Sequence, residues 1–156
     1  MKIYRGYCEA SVDQSNKKGM FSCAIYEDNK KVLERHLSTE NCTNNRLELM
    51  GILMLIKELA SIGYSPSDKL MVYTTLKMIP DAIEKHWIRK WCSNGWKTND
   101  GTLVKNKDLW EELDNLLSFS DITILFEKKN QIKLMKRMAK NNRKKLKMEK
   151  IFDING

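Results

Sequence analysis

The stretch TNNRLELMGILML, Thr43 to Leu55, sets a polar start against a nearly continuous apolar run broken by one acid, Glu48. Asn45 followed three residues later by Glu48 has the spacing of a capping box, so a helix is expected from about Asn45 to Ala60. Its apolar positions run almost all the way round, which implies a helix covered on most sides. Gly63 and Pro66 then end it in a turn.

The elements around this helix decide what covers it. Tyr4 to Val12, Met20 to Tyr26 and Val32 to Leu37 are short apolar or alternating runs separated by the turn-like DQSNKKG and EDNKK, which predicts three consecutive antiparallel strands. After the helix, KLMVYT (Lys69 to Thr74) reads as a fourth strand, parallel to the first because it is reached through a helix. IPDAIEKHWIRKW reads as one helix with Pro80 in its first turn. Asp108 to Leu117 has helical spacing, and Asp121 to Phe126 alternates as a fifth strand. Ile132, Met135, Ala139, Asn142 and Leu146 recur at helical intervals. The expected fold is an α/β arrangement, a mixed five-stranded sheet with helices packed against it.

At 156 residues and 42% hydrophobic content, the chain suffices for one domain with its own core. No apolar run approaches the roughly 20 residues of a membrane span, and the N-terminus lacks a signal-peptide core, so an intracellular protein without a membrane partner is expected. Cys8, Cys23, Cys42 and Cys92 show no paired metal or disulfide spacing, which predicts reduced thiols. The formal net charge of +8 is concentrated: Lys128 to Lys150 holds eleven Lys or Arg and one acid, Glu149, while the remainder is close to neutral. Such a run is either a solvated face or a polyanion-binding surface. The expected organisation is a body over 1–127 including a basic protrusion over 80–104, a basic helix over 128–150 and a tail over 151–156.

TNNRLELM, and the string WIRKWCSNGWKTNDGTLVKNKDLWEEL from Trp87 to Leu113, resemble type I ribonuclease H, as does the element order. The resemblance is continuous from Tyr7 to Phe126. It implies a ribonuclease H-like fold and, in active members, hydrolysis of the RNA strand of RNA/DNA hybrids by four carboxylates holding two magnesium ions. Two metals are needed to activate water and to stabilise the leaving oxygen, and hard divalent cations require oxygen ligands.

Matched onto this family, the first acid position holds Glu9, within Cys8, Ala10 and Ser11, and the second holds Glu48. The third falls on Thr75 in the string Thr74, Thr75, Leu76, and the fourth on Lys136, ahead of Met138 and Ala139. The family's loop histidine has no counterpart in EKKNQIK, and the chain's only histidines are His36 and His86. Glu9 and Glu48 are thus remnant acids, and a Glu48–Lys136 ion pair is expected in place of metal. Such a pair about 4 Å apart is worth about 4 kcal/mol at an effective dielectric near 20.

The resemblance also implies a nucleic-acid surface: Thr43 and Asn106 at a phosphate pocket, Asn44 and Asn45 at the minor groove, and Arg46, Arg89, Lys90, Lys97 and Lys105 toward phosphate. Trp87 is expected at the surface, while Trp91, Trp96 and Trp110 are expected to pack. The leading functional expectation is a catalytically inactive or impaired ribonuclease H-like protein, a pseudoenzyme without a cofactor. It binds hybrid or structured RNA, with protein complex partners a further option. The alternatives are an active hybrid endoribonuclease using magnesium or manganese, with Glu9 and Glu48 as ligands, and a structural subunit that docks protein. Lys, Asn and Ile usage hints at an AT-rich genome, a viral one among the options.

Overall fold

A computed structural model describes residues 1–141. Three strands, β1 (Ile3–Val12), β2 (Gly19–Glu27) and β3 (Lys30–Thr39), form an antiparallel meander. Helix α1 (Asn44–Lys57) continues into a 3-10 turn (Glu58–Ile62), closed by Gly63 in the left-handed region at φ 77°. β4 (Lys69–Thr74) then pairs parallel to β1 on the side away from β2. α2 (Met78–Glu84), α3 (Trp87–Ser93) and α4 (Lys107–Leu117) follow, and β5 (Ile122–Phe126) pairs parallel to β4. Residues 129–141 are helical and are here called α5. The sheet order β3-β2-β1-β4-β5 makes β1 the central strand. The expected mixed five-stranded sheet and its connectivity are what the chain forms; Asn142, Leu146 and the 151–156 tail lie outside the described residues.

The two faces of the sheet are covered differently. α1 packs one face, where Tyr4, Cys8, Phe21, Ile25, Leu47 and Trp110 join the main core. A Cβ at position 51 would fall 2.4 Å from the Phe21 ring, so Gly51 is what lets α1 approach β2 this closely. On the opposite face Tyr7, Ala24, Tyr26 and Tyr73 lie beneath Ile132, with Met135 and Ala139 of α5 alongside. The Tyr7 and Tyr73 rings stack 5.4 Å apart at 12°. Because successive strand residues alternate faces, Cys8 points toward α1 and Glu9 toward α5.

Two local expectations are corrected. IPDAIEKHWIRKW is two short helices, because His86 takes a left-handed conformation at φ 56° between α2 and α3. The capping box does not form: Thr43 is the N-cap, extended at φ −77° and ψ 157°, and its hydroxyl accepts the Arg46 N–H at 3.2 Å. Glu48 therefore sits in the second turn, too far along to reach back to the cap. All four cysteines carry free thiols. Burial pushes the Cys23 thiol up to about 11 and Cys8 well above its usual range, so both are inert core residues. Among the described residues, no helix is long and apolar enough to cross a membrane.

Candidate functional site

Glu48 is fully buried on α1, where it faces the end of β4. Its Oε1 accepts the Thr74 hydroxyl proton at 2.7 Å, and the Thr74 oxygen in turn accepts the Leu76 N–H at 3.2 Å. Glu48 Oε2 is buried with no hydrogen-bond partner among the described residues. Desolvation raises the Glu48 pKa, opposed by the Thr74 hydroxyl and the Thr75 backbone, while the charge of Glu9 pushes in the same direction as burial. Thr75 sits half-buried just past β4 and supplies no negative charge.

The partner of Lys136 is Glu9 rather than Glu48. Its Nζ lies 4.0 Å from Glu9 Oε1, with the two side chains 22% and 18% exposed. The expected Glu48–Lys136 pair is corrected for a simple reason: Glu9 lies on the α5 side of the sheet and Glu48 on the α1 side. Lys136, one turn beyond the buried Ile132, meets the former. A cation whose charge does act on Glu48, favouring its ionised form, is Lys129 at the start of α5. Glu9 Oε1, like Glu48 Oε2, is buried without a hydrogen bond among the described residues. No three His, Cys, Asp or Glu side chains among the described residues are grouped so that they could hold a metal ion. Two carboxylates and an ammonium do not fit a pair of divalent cations, which need a shell of anionic oxygens.

The outward half of the first turn of α1 is organised by one side chain. Arg46 Nη1 donates to Asn106 Oδ1 at 3.1 Å and to Asp108 Oδ1 at 3.1 Å, and Nη2 donates to Asp108 Oδ2 at 2.9 Å. Asn106 precedes α4 in a left-handed conformation at φ 63° and makes no side-chain cap. Thr43, Arg46 and Asn106, sixty residues apart in sequence, are thus brought together at the starts of two helices. Asn45 and Lys105 are exposed; Asn44 is half-buried, its Oδ1 without a partner among the described residues. Thr74 and Asp108 were missed in the sequence. The Thr74–Thr75 doublet and the acid after Asn106 in KNKDLW were the only signals for them.

The tryptophans divide as expected for three of four. Trp110 and Trp96 are buried, and Trp91 bridges them with ring centroids 5.5 and 6.1 Å away. Trp87 is half-buried rather than a free surface ring, because it also packs against Trp91 at 6.1 Å. Lys85 Nζ lies over its ring, 5.6 Å from the centroid. Trp87, Lys90, Trp91, Asn94 and Lys97 line a concavity of about 430 Å³, and Arg89 is exposed nearby.

The sequence model of the ribonuclease H family matches residues 2–128. A ribonuclease H of Caldicellulosiruptor saccharolyticus is 41% identical over 110 residues, covering 70% of this chain and 70% of its own length. Others of that name are matched over less of their length, 66% for that of Ehrlichia chaffeensis. Among solved structures, a foamy viral protease-reverse transcriptase in complex with double-stranded DNA superposes with a TM-score of 0.66 at 14% identity, over 90% of this chain and 89% of that one. A ribonuclease H solved with an RNA/DNA hybrid does so with a TM-score of 0.60 at 11% identity, over 82% and 87%. At these identities the structural likeness is one of fold.

Proposed function

Because this chain belongs to the ribonuclease H family, we propose that it is a member that binds RNA/DNA hybrid without cleaving it. The observation that carries this reading is the Lys136 ammonium 4.0 Å from Glu9, the acid whose charge acts on Glu48, with no group of three potential metal ligands among the described residues. In the family, metal ions supply the charge that activates water and steadies the leaving oxygen. Here one fixed positive charge stands beside Glu9, and a lysine neither coordinates nor deprotonates an attacking water as a metal does.

The binding half of the reading rests on other residues. Thr43 and Asn106 present neutral donors at the start of α1 and of α4, positions suited to hold a strand by its phosphates. Trp87 with Lys85, Lys90 and Lys97 offers an aromatic edge among cations for the flanking backbone. A structural neighbour of this fold was solved with an RNA/DNA hybrid bound.

A second reading, a metal-dependent hybrid endoribonuclease, is favoured by the relatives that carry the name ribonuclease H at 41% identity. One experiment separates the two. Hybrid is incubated with the protein in magnesium and in manganese beside the Glu48→Gln variant, and both binding and strand scission are read. We expect salt-dependent binding and no cleavage in either metal. Metal-dependent cutting that Glu48→Gln abolishes establishes the enzyme instead, and absence of binding by the purified chain points to a protein-docking subunit.

A further inference from the structure

We propose that Asp108 is an internal stand-in for nucleic-acid phosphate: it occupies the Arg46 guanidinium in the free protein and yields it when a strand phosphate enters beside Thr43 and Asn106. The inference rests on the hybrid-binding reading above and adds a regulatory contact to it.

The geometry of the Arg46–Asp108 contact is that of a fork holding an oxyanion. Both Asp108 oxygens accept, one from each terminal guanidinium nitrogen, at 3.1 and 2.9 Å. A phosphate presents the same pair of oxygens to arginine. The contact is also reachable, because the Asp108 side chain is 63% exposed and that of Arg46 39%. Exposed ion pairs of this kind are weak and are screened by salt, so an incoming phosphate competes on near-equal terms.

The groups around the fork are already set for a phosphate. Thr43 uses its oxygen to accept the Arg46 N–H, which leaves its hydroxyl proton to donate. Asn106 turns its Oδ1 to Arg46, which leaves its amide N–H groups facing away with no acceptor among the described residues. Asp108, in the first turn of α4, sits where the helix N-terminus favours negative charge, so its carboxylate stays ionised and tolerates release into solvent. The fork, the hydroxyl and the amide lie at the adjoining starts of α1 and α4, and among the described residues the anion that holds the fork is Asp108.

The test compares Asp108→Asn, Arg46→Met, the double variant and the control Glu111→Gln, an exposed acid of the same helix paired with Lys107. Hybrid affinity is measured against salt concentration. Asp108→Asn tightens binding about twofold to fivefold, the range for freeing one exposed pair. The gain exceeds that of Glu111→Gln and vanishes in the Arg46→Met background. Arg46→Met lowers the slope of log affinity against log salt by about 0.9, the signature of one lost phosphate contact. Weaker binding by Asp108→Asn, a gain that persists without Arg46, or an unchanged slope in Arg46→Met overturns the proposal.

Inorganic phosphate separates failure of this contact from failure of the hybrid reading. Followed by the NMR signal of the Arg46 Nε–H, phosphate should act at lower concentration on Asp108→Asn than on the unaltered protein, whether or not hybrid binds. A signal that phosphate leaves unmoved in both proteins sinks the stand-in role.

Discussion

Helix α1 carries two polar regions within two turns, and they are built to opposite specifications. At its exposed start, Thr43, Arg46, Asn106 and Asp108 are joined to one another by hydrogen bonds that all run through Arg46. Five residues further on, Glu48 is fully buried and half-satisfied, and Glu9 across the sheet is also short of a partner for one oxygen. Buried polar atoms are paired in the great majority of cases, so two neighbouring carboxylates left incomplete are an exception that needs a cause. The cause proposed here is loss of the cations for which such a pocket is shaped. The outer region needs none, because its side chains are exposed enough for water to meet what they leave open.

The largest effect that can break this contrast is a restored metal site. Glu9→Asp, Thr75→Asp and Lys136→Asp together replace an ammonium and a hydroxyl by carboxylates and shorten one side chain. Manganese at a hundredfold excess over its dissociation constant should then stabilise the triple variant by about 2.7 kcal/mol in thermal unfolding, while the unaltered protein shows no such shift. A folded triple variant that manganese leaves unstabilised shows that these are not the positions where the pocket lost its ligands.

A smaller effect sharpens it from the other side. If Glu48 is held chiefly by Thr74, then Thr74→Val, similar in volume, removes the donor at 2.7 Å and strands a buried acid. The expected cost is about 2 kcal/mol in urea denaturation, the range for a hydrogen bond to a charged group. At the exposed region the removal of one exposed pair costs well under half as much. Equal costs at Thr74 and at Asp108 erase the distinction between a dry pocket and a wet one.

How far these regions were legible in sequence follows the same division. The strands and β4 were readable because alternation and run length report which faces are buried, and KLMVYT is bounded as a strand should be. The positions of Glu9, Glu48, Thr75 and Lys136 followed from motif resemblance; in the structure Lys136 lies beside Glu9, and the charge of Glu9 acts on Glu48. Partner choice did not follow. Whether Lys136 meets Glu9 or Glu48 depends on which side of the sheet α5 lies, a tertiary fact with no local signal. The break at His86 was hidden as well: no glycine or proline marks it, and the chain turns there on a histidine in the left-handed region. The Arg46–Asp108 fork joins residues sixty-two apart, beyond any periodicity.

The smallest effect is the most diagnostic of the pocket, because it isolates the charge of Glu48 from its shape. Burial raises the folded-state pKa of Glu48 above its unfolded value, so folding favours the protonated carboxyl. The stability this contributes is fully present below the ordinary glutamate range and is lost as pH rises through the raised folded value. Glutamine keeps the oxygen that accepts from Thr74 and removes the ionisation. Glu48→Gln should therefore match the unaltered protein near pH 4 and exceed it by on the order of 1 kcal/mol at pH 7, since a neutral amide is cheaper to bury than a carboxylate with one oxygen unpaired. Chemical denaturation of both proteins across that range gives the two curves. If they run parallel from pH 4 to pH 7, Glu48 ionises in the folded protein as easily as in the unfolded chain, and the cations nearby, Lys129 foremost, compensate its burial in full.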